Sequence, residues 1–378
     1  MNYPQGARQQ WVADTDFFTV NNRVGDAWGT DLYDASTNKL VDRFPATTHM
    51  LSNDGRFAYG LDYARLFRLG MYGYSGLPDS CSGEALPEST GITVMDMASK
   101  EVNLLVSVKA VASCGYNDKI PVYGHHYLTH LCLSPDSNRI AFLHRFPMAD
   151  GGEMTRLMTI SKDGTGLRCI AKGFLSHFHW KDNQTLYIFG RANSSVEGIR
   201  NLPIMNNPFI KSSMGLAKNI IRLFIGKGQS IVANANSFMI VTDTDAPTIQ
   251  SFAKDIIPTD GHPMTCPINN NICSLDTYPN SEGIRDLMIY DFKQDVRIDI
   301  GHFGMLDEKP DMSLIDSYFK GVDAKIVENI SKESLSFTRS GLHCDLHPRW
   351  NSRGDKVVFD SIHEGTRQVY AALVKDVF

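Results

Sequence analysis

One phrase recurs along this chain: an alternating strand, a polar turn and a second apolar strand, with a histidine at a fixed place. His130 opens HLCLSPDSNRIAF, His262 opens HPMTCPINNNICSL and His347 opens HPRWNSRGDKVVFD. Each carries an apolar strand residue ten positions on, Ile140, Ile272 and Val357. His177 opens HFHWKDNQTLYIF, one residue shorter, and THMLSNDGRFAYG places Thr48 at that register with His49 beside it. Alternating apolar residues around a Pro, Asp, Asn or Gly turn form the β-hairpin signal. Hairpins repeated every ~40 to 50 residues predict propeller blades, in which each four-stranded sheet buries its faces against its neighbours. The observed intervals are 82, 47, 85 and 85 residues, and the long ones leave room for a degenerate blade. The expectation is an all-β fold, a β-propeller of seven blades, with six and eight as the neighbouring counts. In a circular repeat, equal register means equal place, so the four imidazoles should converge on one mouth.

A chain of 378 residues would ordinarily divide, but a propeller grows by radial repetition. A single domain over residues 1–378 is therefore expected. Segments such as GITVMDMASKEVNLLV and DLMIYDFKQDVRIDI read as the outer strands of blades. The final RQVYAALVKD is expected to pair with an N-terminal strand such as WVADTDFFTV and close the ring.

The net charge of −5 gives no support for nucleic-acid binding, which needs a basic excess. Seven scattered cysteines with no CxxC pair read as reduced thiols. The start shows no basic and apolar leader, and no apolar run reaches the length of a membrane span, so a cytoplasmic location is expected. One stretch breaks the β pattern. Residues 212–226 place Leu216, Ile220, Ile221 and Phe224 at helical spacing, with Gly226 as a stop, which predicts a short inserted helix packed on the rim. Its basic side makes membrane contact the lesser alternative. A second insertion, about Met305 to Leu335, reads as a loop over one face.

Chemistry-bearing residues crowd the register histidines. The last copy gathers His343, His347, Arg349, Asp360, His363, Arg367 and Gln368; the one before it His262, Asp276, Tyr278 and Arg285; the second His125, His126, His130, His144 and Arg145. Imidazole, guanidinium and phenol are the groups needed to remove a proton, neutralise a carboxylate and protonate a leaving oxygen. Together they suit elimination on an acidic sugar. His130, His177, Tyr278, Arg349, His144 and Arg145 are the candidate catalytic residues; His126, Arg285, Arg367 and Gln368 are candidates for substrate binding. Each has a structural alternative. His144, His179, His302 and His363 also read as packed strand histidines, Tyr278 as a turn cap, and Trp180 and Trp350 as inter-blade core.

The phrases SHFHW, DGHP…LDTYP and DLHPRW…FDSIHEGTRQVY resemble those of propeller polysaccharide lyases, the group that includes oligogalacturonate lyase. The similarity runs from about residue 48 to the end and is strongest after His262. It implies β-elimination: a base takes the proton at C5 of a uronate, the carboxylate is neutralised, and the 4-linked oxygen leaves. The histidine of the SH phrase, the base in that group, maps onto His177. The group's metal ligands, a histidine followed by a Gln-x-x-His-x-His run, map onto His262, Cys344, His347 and Arg349. Two of these depart from the pattern, and arginine does not ligate cations. Either Arg349 replaces the metal by pairing with the substrate carboxylate, or His262, Cys273, Cys344 and His347 hold one divalent ion, zinc or manganese. The leading reading is thus a lyase acting on a uronate-containing oligosaccharide or polysaccharide. The competing one is a non-catalytic propeller serving as a binding scaffold. A glycoside hydrolase ranks last, because no Asp or Glu recurs at the register.

Overall fold

Each copy of the phrase folds into the two innermost strands of a sheet, and the sheets follow one another in chain order. The computed structural model describes residues 6–70, 72–116, 120–192, 200, 202–207, 236–306 and 344–374. β1 (Gln10–Trp11), β2 (Phe17–Val24), β3 (Ala27–Asp34) and β4 (Lys39–Phe44) form the first antiparallel meander. β5 (Met50–Leu51), β6 (Phe57–Leu61), β7 (Gly91–Asp96) and β8 (Val102–Ser107) form the second. Helix α1 (Tyr63–Gly70) is inserted between β6 and β7, and α2 (Val108–Ser113) follows β8, its first turn capped by the Ser107 hydroxyl on the Ala110 amide.

The next sheet joins two blades. It runs through β9 (Tyr127–Leu133), β10 (Arg139–Pro147), β11 (Glu153–Ser161), β12 (Arg168–Trp180), β13 (Thr185–Ala192), β14 (Ser237–Thr242) and β15 (Ile249–Phe252). The 13-residue β12 is the joint: its first half pairs with β11 and its second half with β13. Gly173 sits at the changeover with φ +149°, where a Cβ would lie 2.2 Å from the Arg191 carbonyl oxygen, so the close approach admits glycine alone. β16 (Met264–Cys266), β17 (Asn269–Asp276), β18 (Ile284–Asp291) and β19 (Val296–Gly304) make a further meander; β20 (Arg349–Trp350), β21 (Lys356–Ser361) and β22 (Gln368–Leu373) make the last.

This is a β-propeller, mostly strand, with its core between blades. The apolar clusters straddle neighbouring sheets, as where Leu287 and Ile289 of β18 meet Trp350, Val357 and Phe359 of the last sheet. Two tryptophans staple inner strands together. Trp180 donates its indole N–H to the Cys132 carbonyl at 2.9 Å, and Trp350 donates to the Met264 carbonyl at 3.1 Å. Both lie three residues after a register histidine, so one sequence position makes one inter-blade bond twice.

Six blade-like units account for the described strands. The 82-residue interval holds the α1 insertion within one blade, and in the first 85-residue interval β13 pairs directly with β14, so the described residues of neither interval add a further blade. Residues 307–343, in the second 85-residue interval, lie outside the described residues, as does the helix expected at 212–226. The expected closure is also absent among the described residues: β22 pairs only with β21, and β1 only with β2. Among the described residues, the last sheet ends at β22. No helix among the described residues is long and apolar enough to cross a membrane.

Candidate functional site

Successive inner strands start beside one another at one mouth of the ring, and the register histidines stand there. β16 and β20 each begin two residues after theirs, and the four rings form a continuous arc. Centroids are 6.4 Å apart for His130 and His177, 4.3 Å for His177 and His262, and 4.0 Å for His262 and His347. Residues dispersed over more than 200 positions are thereby gathered within the span of a sugar ring or two. The backbone is left-handed at His130 (φ 58°) and His347 (φ 45°), a conformation that costs a side-chain-bearing residue on the order of 1–2 kcal/mol and persists where the surroundings over-determine it.

Each imidazole has its own electrostatic setting. The His177 Nδ1 faces Asp260 Oδ1 at 3.1 Å and the Ser176 hydroxyl at 3.0 Å. Donation from Nδ1 to that carboxylate leaves Nε2 as the basic nitrogen, the arrangement by which a carboxylate fixes a histidine's tautomer. His262 Nδ1 meets both oxygens of Asp276, at 2.9 and 3.0 Å. The same carboxylate accepts the backbone N–H groups of His262 and His347. Burial alone would raise Asp276, but His262, through its charge, its ring and its backbone N–H, holds the carboxyl at about 2. Burial works to lower His262, and the Asp276 charge overrides it, so His262 lies above the ordinary imidazole value. Burial and the neighbouring His262 keep His347 well below that value, hence neutral. His130 is likewise depressed by burial and then by Arg145 and His177.

Two phenols and a guanidinium complete the mouth. Tyr278 lies 6.0 Å from His177 and 5.7 Å from His262, partly exposed, and burial with nearby carboxylates holds its hydroxyl in the protonated form. Tyr72, brought in by the α1 insertion, stacks edge-on to His130 at 5.4 Å. Arg145 lies over the Tyr72 ring and pairs with Glu153 at 3.6 Å, while the Tyr127 hydroxyl donates to the same carboxylate at 2.7 Å.

A candidate metal centre lies in the same arc. His262, Asp345 and His347 each present a ligand atom, all within 4.8 Å of one another. Two imidazoles and a carboxylate suit manganese, zinc or iron, and Asp276 behind His262 is the carboxylate–histidine support such ligands usually have. Arg285 holds Asp345 from behind at 2.8 Å.

The structure redistributes several of the residues singled out above. Cys273 and Cys344 are not part of the metal-competent group. Cys273 is packed against Tyr187 and Tyr290, Cys344 turns its thiol to the Asp345 carbonyl at 3.6 Å, and burial pushes the Cys344 thiol up to about 11, away from the thiolate a metal needs. Asp345 takes their place. Arg285 is 1% exposed and pairs with Asp345 at 2.8 Å. His126 and His144 are fully buried in a chain leading from Arg156 to the Pro121 carbonyl, with His126 Nδ1 and His144 Nε2 3.0 Å apart, so they lie in the interior and not at the mouth. Arg367 pairs with Asp360 at 2.6 Å, and Gln368 begins the outermost strand with Thr366 as its partner. Arg349 is accessible and donates to the Pro348 carbonyl. His343 lies outside the described residues. A cavity of about 10 Å³ under α1, lined by Leu66, Val108 and Tyr127, shares no residue with the histidine arc.

No family model matches the chain, and no curated protein matches it. Among solved structures it is similar to an oligogalacturonate lyase in complex with manganese, at 10% identity and TM-score 0.48, over 98% of this chain and 89% of that one. It is similar also to the β-propeller domain of the trilobed protease from Pyrococcus furiosus, at 10% identity and TM-score 0.47, over 97% and 83%. An oligogalacturonate lyase from Vibrio parahaemolyticus gives 11% identity and TM-score 0.43, over 99% and 90%. Lyases and peptidases thus stand side by side at similar values, and the likeness assigns no activity.

Proposed function

We propose that the histidine mouth is the active site of a lyase that cleaves a uronate-containing glycan by β-elimination. The observation that carries this reading is the convergence of His177, His262 and His347 with Tyr278 and a carboxylate-backed metal-competent triad. A scaffold has no use for that group, whose His347 is held in a left-handed backbone conformation.

In this mechanism, His177 Nε2 takes the proton from C5 of the uronate while Asp260 stabilises the imidazolium through Nδ1. The electron pair moves toward C4, the C4–O bond breaks, and Tyr278 supplies the proton to the departing oxygen. Because its hydroxyl is held in the protonated form, Tyr278 is suited to donate. The C5 proton is weakly acidic, so charge on the substrate carboxylate must be neutralised as the enolate-like state develops. His262, Asp345 and His347 would hold a divalent cation there, and such an ion would supply Lewis-acid neutralisation of that carboxylate. Arg145 and Tyr72 face the same mouth from the His130 side and would orient the sugar.

Incubation with a panel of oligouronides and added manganese or zinc, read by the ultraviolet absorbance of a 4,5-unsaturated end, tests the assignment. A rising signal that is lost in His177→Ala, with the fold intact by circular dichroism, is expected. Absence of signal across the panel, or an undiminished signal in the variant, contradicts it.

A further inference from the structure

Arg285 projects from β18 and is among the largest fully buried side chains, so its charge has to be answered inside the protein. Its Nη1 lies 2.8 Å from Asp345 Oδ1 and donates to the Thr277 carbonyl at 3.2 Å. The guanidinium carbon stands 5.7 Å from the centroid of the Tyr278 ring, within cation–π range. One enclosed cation thus touches the carboxylate of the metal-competent group, the chain segment that carries Tyr278, and the Tyr278 ring itself.

The way it holds Asp345 is unusual for a buried pair. Arg139 shows the fuller arrangement, with Nε and Nη2 donating to the two oxygens of Asp243 at 2.7 and 3.0 Å. In Arg285 the same two nitrogens, Nε and Nη2, are buried and make no hydrogen bond among the described residues. A carboxylate placed for stability alone would seat both oxygens on that fork through parallel bonds. Asp345 is held by one corner instead, and it presents a ligand atom within 4.8 Å of those of His262 and His347.

We propose that Arg285 is a positioning residue: it fixes Asp345 with one oxygen turned to a divalent cation shared with His262 and His347, and it packs Tyr278 at the edge of the same site. The inference rests on the metal-binding part of the reading above and not on the elimination. Groups that orient a ligand from behind in this way govern metal affinity without touching the metal.

Calorimetric titration of the full chain, stripped of metal by a chelator, with manganese and separately with zinc tests it, beside urea titration of each variant. Saturable binding of at least one metal is expected, weakened about tenfold or more in Arg285→Lys, which keeps the charge and loses the planar fork. Arg139→Lys alters a buried pair on another sheet and is expected to lower stability while leaving metal affinity unchanged. Should Arg285→Lys fail to fold, Arg285→Gln keeps a planar donor and carries the same expectation. Native metal affinity in the folded Arg285 variant, equal weakening in Arg139→Lys, or no binding of either metal by the native chain overturns the proposal. Weakening as expected, with no elimination on any oligouronide, sinks the lyase reading and leaves the positioning role standing.

Discussion

His177 differs from His262, the other register histidine with a carboxylate on Nδ1, in keeping 20% of its side chain exposed against 10%. Replacing it by Gln is expected to lower turnover on the correct uronide by roughly 10² to 10⁴-fold, the range for a lost general base, with little change in melting temperature. Tyr278→Phe should lower turnover while leaving substrate affinity near that of the native chain, as a proton donor does and a turn cap does not. Asp276 plays a different part. It is fully buried and bridges two register positions, so Asp276→Asn should destabilise the chain by roughly 3 kcal/mol in urea titration, the scale for removing one member of a buried pair. Gly261→Ala is expected to do similar harm by sterics, since its Cβ would lie 1.8 Å from the Asp276 carbonyl oxygen.

The strand-turn-strand phrase was readable because strand alternation and turn chemistry are local, and the register histidines followed from it. Asp345 was not readable as a candidate ligand. It stands two residues before His347 in a stretch without regular structure, where no repeat points inward. The cysteines were misleading because residue type suggested zinc while burial had already committed their thiols to packing. Blade count was obscured for a related reason, since insertions lengthen an interval as a hidden blade would. The indole staple has its own test. Trp350→Phe keeps most of the apolar volume and removes one inter-blade hydrogen bond, and a loss of about 1 kcal/mol is expected in denaturant titration.

Over the whole molecule, histidine burial sets the response to acid. His49, His126, His130, His144, His179 and His347 are all depressed by burial, His126 and His179 to about 4, whereas His262 is raised. A depressed histidine binds fewer protons folded than unfolded, so its contribution is full above the unfolded value near 6.5 and is lost as pH falls toward the folded value. His262 acts in the opposite sense and offsets only part of this. Melting temperature should therefore drop steeply between pH 6.5 and about 4, and a flat profile would contradict the burial of these rings. The ring of blades is what allows the histidines to be buried and assembled together, and the activity proposed for them rests on that assembly. Mass spectrometry of the products from a defined oligouronide tests the central claim most directly. The account predicts new ends that lack the elements of water and carry a double bond, absent when His177 is replaced by Ala; hydrated ends, or the same ends from the variant, would contradict it.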